Sequence, residues 1–160
     1  DPPCTTATLG DRVYVSYAVQ DAKHEDDVPG AGHGFVSVFS ANGRYLKTLV
    51  SKGLLDSPWG MMIAPTTLPG ISGALLVGNF GDGAIHAYDR QTGNLVASFV
   101  FVGGDTLRID GLWGLAEGPK TSSYDLSHAI YFAAGPADEE HGLFGKLSPM
   151  TVTPMPLPRP

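Results

Sequence analysis

Between Ser57 and Phe101 four short apolar runs follow one another, Trp59–Ala64, Ala74–Asn79, Ala84–Tyr88 and Asn94–Phe101, separated by Pro-Gly, Gly-Asp-Gly and Gln-Thr-Gly. None of these runs is long enough to make a stable helix, and β-branched and aromatic residues fill them, as in strands. The breaks between them are turn chemistry, because glycine takes positive φ without steric cost and Asp and Asn tolerate it. Adjacent strands joined by such short turns must run antiparallel. The stretch therefore predicts a four-stranded antiparallel meander.

The same parts recur on both sides. Pro58-Trp59-Gly60-Met61-Met62-Ile63-Ala64-Pro65 superposes on Leu112-Trp113-Gly114-Leu115-Ala116-Glu117-Gly118-Pro119, with the tryptophans 54 residues apart. Val13-Tyr14-Val15, Leu75-Leu76-Val77 and Ile130-Tyr131-Phe132 are equivalent runs, and further strands open at Gly34, Gly83 and Gly142. Asn42-Gly43 between Phe35–Ser40 and Arg44–Ser51 is a strong hairpin signal. A repeat of this length with four strands per unit predicts an all-β propeller of four-stranded antiparallel blades. With strands lettered a to d from the inside out, residues 11–149 read b-c-d, a-b-c-d, a-b-c. About three blades of an expected six are then present, since three cannot close a ring. The remaining blades are expected in the same longer polypeptide or in a second copy.

Outside the repeat, residues 1–10 read as a Pro-containing N-terminal segment holding the single cysteine, Cys4, which cannot form an internal disulfide. Residues 150–160 carry proline at every second position from Pro154 and read as an extended, polyproline-like tail. Twenty-one glycines and thirteen prolines among 160 residues suit a chain of many turns. A formal net charge of −6 argues against a nucleic-acid partner, and the absence of a long apolar run argues against a membrane-spanning helix.

Several motifs are long enough to carry a resemblance: Leu49-Val50-Ser51 through Pro58-Trp59-Gly60, Ala74-Leu75-Leu76-Val77-Gly78-Asn79-Phe80-Gly81-Asp82-Gly83, Ile109-Asp110-Gly111-Leu112-Trp113-Gly114-Leu115 and Ile130-Tyr131-Phe132-Ala133-Ala134-Gly135-Pro136. Together they resemble the C-terminal half of an uncharacterised family of exported six-bladed propellers related to NHL repeats. The resemblance covers about Asp11 to Ser148, and it implies an extracellular or cell-surface protein.

Antiparallel order brings the b–c loops and d–a linkers to one face. His33, Asp82 and His141 each stand one residue before the glycine that opens strand c, and Asp56 and Asp110 each stand three residues before a tryptophan. With Asn79, Asp138 and Glu139 they make the candidate binding face. Together with the acidic residues of the loop from Gln20 to His33, these carboxylates would give that face a negative potential suited to cationic protein partners or glycans. The function expected is that of a non-catalytic binding or structural module. The alternative is a calcium-dependent hydrolase of the lactonase or gluconolactonase type, with Asp56, Asp82 and Asp110 as oxygen ligands at the channel mouth. Trp59 and Trp113 read as packing between blades. His24, His86 and His128 lack a zinc spacing, Gly-Asn-Phe-Gly-Asp-Gly leads into a strand rather than the helix a phosphate loop needs, and no nucleophile-elbow motif accompanies the serines.

Overall fold

A computed structural model describes residues 3–118, 129–148 and 152–156. Among them are twelve strands and no helix. The first sheet takes β1 (Pro3–Leu9), β2 (Arg12–Ala18), β3 (Gly34–Ser40) and β4 (Tyr45–Ser51) in chain order. The second takes β5 (Pro58–Ile63), β6 (Leu75–Asn79), β7 (Ile85–Tyr88) and β8 (Leu95–Phe101) in chain order, and the third β9 (Leu112–Glu117), β10 (Ile130–Ala134) and β11 (Leu143–Leu147). Every pairing between these strands is antiparallel, and among the described residues no sheet closes on itself. The protein is thus all-β, built of antiparallel meanders.

Two stretches outside the expected repeat join these sheets. Pro3–Leu9 pairs with β2 and gives the first sheet four strands where the repeat alone supplies three. Its residues alternate weakly: Ala7 and Leu9 pack on the core while Thr6 and Thr8 are exposed. Small side chains carry little hydrophobic signal, which is why the period is faint in the sequence. At the other end β12 (Val152–Pro156), inside the tail read as a linker, pairs with β8 at the outer edge of the second sheet. Proline at every second position removes donors from one edge of an extended strand only, so the other edge can still pair. The outward edge then cannot recruit a further strand.

The middle sheet is apolar on both faces, since it is covered twice. Met61, Leu75, Val77 and Tyr88 pack against Tyr14, Val36, Val38 and Leu49 of the first sheet. Their sequence neighbours Met62, Leu76, Ile85 and Ala87 point the other way, into a core shared with Leu112, Ile130 and Ala134 of the third. The near-continuous apolar run Ala74–Val77 follows from that double burial. The first strands of the three sheets stand side by side, β5 lying against β1 and β2 on one side and β9 on the other. Gly60 permits the second approach, because a Cβ there would stand 2.8 Å from the Trp113 carbonyl oxygen.

Candidate functional site

The β2–β3, β6–β7 and β10–β11 loops share one end of the sheets with the β4–β5 and β8–β9 linkers. At this end the β5–β6 and β9–β10 ladders each run one step past their strands in the same way: Phe80 N–H donates to the Ser57 carbonyl at 2.9 Å, and Gly135 N–H donates to the Gly111 carbonyl at 2.8 Å. Asp56 is buried beside Ser57, and its Oδ1 accepts from Gly30 N–H at 2.7 Å while its carbonyl accepts from Gly81 N–H at 3.1 Å. One residue thereby ties the loop before β3 to the loop before β7. A Cβ at position 81 would stand 2.0 Å from that carboxylate, so the Gly81 position is shaped by Asp56.

Asp82 works within its own turn. Its Oδ1 accepts from Asn79 Nδ2 and from Ala84 N–H, both at 3.0 Å, and its Oδ2 pairs with Arg108 at 2.8 Å. Asn79 is fully buried and also donates to the Leu54 carbonyl at 2.8 Å. Asp110 accepts from Ala137 N–H at 3.0 Å. Glu139 accepts from the Trp113 indole at 2.7 Å, and Ala137, Asp138 and Glu139 all have positive φ, a tight exposed turn. His33 folds back on its own loop, Nδ1 lying 2.8 Å from the Val28 carbonyl, whereas His141 is exposed. The predicted face residues do share one end, but Asp56, Asp82 and Asp110 each take a main-chain amide, while Asp138 and His141 sit on the exposed β10–β11 loop. Among the described residues no three of His, Cys, Asp or Glu converge where a metal ion would bind, so Asp56, Asp82 and Asp110 are not brought together as a calcium set.

A cleft of about 360 Å³ opens beside Asp82, lined by Arg108, His86, Ser98 and Thr106 among others. His86 is 6% exposed, and its Nδ1 lies 2.8 Å from Ser98 Oγ on the paired strand. Burial holds its pKa below the ordinary 6.5; Asp82 opposes that shift and Arg108 adds to it. The imidazole is therefore neutral at neutral pH. No carboxylate is hydrogen-bonded to it among the described residues, so a serine–histidine–aspartate relay is not assembled. Tyr88 lies on the same face as His86, with its hydroxyl buried and unpartnered among the described residues and its pKa raised, by burial first and then by Asp82.

This chain is similar to uncharacterised proteins of Acanthamoeba polyphaga mimivirus. One is 35% identical over 148 residues, 91% of this chain and 37% of the relative. A second is 34% identical over 146 residues, 91% of this chain and 35% of the relative, and a third 29% identical over 126 residues, 74% and 23%. The chain spans 23–37% of the length of these curated relatives. No family model matches it, and no solved structure does.

Sequence reasoning placed Asp82 on this face and sent His86 off one face of its strand, but it missed their neighbours Arg108, Ser98 and Thr106. Arg108 lies in the long β8–β9 linker, where no period gives a side chain's direction, and Ser98 acquires meaning only through the β7–β8 register. Of the three histidines weighed for zinc, His128 falls outside the described residues, and His24 hydrogen-bonds Gln20 at 3.0 Å on an exposed loop.

Proposed function

We propose that the three sheets are successive blades of a β-propeller, and that the chain belongs to the exported, NHL-related family it resembles. The observation that carries this reading is the stacking of successive antiparallel meanders with their first strands side by side, β5 lying against β1 and β2 on one side and against β9 on the other, as blades around a channel would. The missing blades belong to the same longer polypeptide, a view supported by the share of the relatives' length this chain spans.

Its function is binding or scaffolding at an extracellular or cell-surface site, with a protein or glycan partner held on the loop face. A non-catalytic role is supported by carboxylates committed to main-chain donors at Asp56, Asp82 and Asp110. Calorimetric titration of the chelator-stripped intact protein with calcium, followed by a lactone hydrolysis assay, tests it. The expected result is neither stoichiometric heat nor turnover. A micromolar calcium site and lactone hydrolysis, both lost in Asp82→Ala or Asp110→Ala, would replace it with the lactonase reading.

A further inference from the structure

At the opposite end from the carboxylate loops, a cleft of about 720 Å³ runs between the first and second sheets. It lies among the β1–β2 turn, the β5–β6 loop and the β7–β8 turn. That volume is in the range of small-molecule sites. Its walls are mixed: Tyr14 and Val38 of the first sheet, Ile71 of the β5–β6 loop and Val96 of the second sheet supply apolar side chains among polar neighbours that include Ser72 and Gln91. Its rim carries Arg12, Lys47 and Arg90, three of the ten basic residues in a chain whose net charge is −6, beside the carboxylates Asp11 and Asp89. We infer that this cleft binds a small organic anion, an apolar body carrying a carboxylate or sulfonate. The inference is independent of the propeller reading.

The rim charges are available in different degrees. Lys47 Nζ donates to the Gln91 carbonyl and bridges the two sheets. Arg12 pairs with Asp11 at 3.4 Å, but both side chains are well exposed, and such a pair yields to a better partner at little cost. Arg90 makes no ion pair among the described residues. The acidic neighbour Asp89 accepts at Oδ1 from Thr92 N–H at 2.7 Å, Thr92 Oγ1 at 2.9 Å and Gln91 N–H at 2.9 Å, which holds its pKa low: it stays ionised, with those three donors offsetting its charge. An anion lying over the apolar side chains would meet the Arg90 guanidinium and draw Arg12 from Asp11. The apolar body supplies burial and the arginines supply orientation.

The test is fluorescence titration of the intact protein with 8-anilinonaphthalene-1-sulfonate at low salt, beside the uncharged N-phenyl-1-naphthylamine. The sulfonate is expected to fill one site that weakens at least about fivefold in the Arg12→Ala/Arg90→Ala double variant and in Arg90→Glu, while the weaker binding of the neutral amine stays unchanged. Both arginines are exposed, so the variants should fold with an unchanged melting temperature. The inference is overturned if no saturable site is found, or if the sulfonate binds both variants as tightly as the original protein.

Discussion

His86 carries a pH dependence of stability just below neutrality. Burial keeps its folded pKa below 6.5, so between that value and its lower folded pKa the unfolded chain holds more protons than the folded one. Stability must therefore rise with pH through that window and fall as the solution is acidified below about pH 6.5. Denaturant unfolding at pH 7 and pH 5 is expected to show a loss on acidification that shrinks in His86→Gln. An equal loss in the two proteins would mean that the imidazole is solvated in the folded state. Legibility at this scale was partial. Strand alternation gave the direction of His86 off its sheet, whereas its environment depends on Ser98, Asp82 and Arg108 from three other segments.

At the scale of elements, turn glycines separate local geometry from packing. Gly43 in the β3–β4 turn and Gly93 in the β7–β8 turn have nearly the same backbone, φ 81° and 75°. A Cβ at Gly43 meets nothing within 4 Å, while one at Gly93 would stand 1.8 Å from the Leu49 carbonyl oxygen of β4. Gly43→Ala should therefore cost only the left-handed penalty of about 1 kcal/mol. Gly93→Ala must also push the β7–β8 turn off the first sheet, and about 2–4 kcal/mol in total is expected from denaturant midpoints. Equal costs would show that the two sheets can separate freely there. The sequence marks both glycines as turn residues through Asn-Gly and Thr-Gly, and nothing local distinguishes them.

At the scale of the whole molecule, two sheet surfaces have no neighbouring sheet among the described residues. On the outer face of the first sheet Tyr17 stacks on Phe35 at 4.4 Å and Phe39 meets Tyr45 at 5.7 Å, with Tyr45 55% exposed. On the third sheet Phe144 is 74% exposed, stacked on Tyr131 at 5.6 Å, and β11 is an edge strand. Such aromatic faces and open edges drive association. Produced alone, this chain is expected to associate with rising concentration in light scattering, and Phe144→Lys to lower the apparent mass. A chain that stays monomeric at high concentration would show that these faces are stable in water as they stand.

What the sequence by itself determined was the run of strands from Arg12 to Leu147, because period-two alternation and Gly or Asn turns are local signals that no distant contact has to supply. It also determined that the loops carrying His33, Asp56, Asp82, Asp110 and His141 share one end, since antiparallel order fixes that without coordinates. The tertiary structure decided the rest. Strands made of threonine and alternate proline, β1 and β12, are recognisable only beside the partners that complete them. Asp56 and Asp110 became anchors for main-chain amides 26 and 27 positions away, and Arg12 and Arg90 came to line one cleft, proximities that no local pattern records.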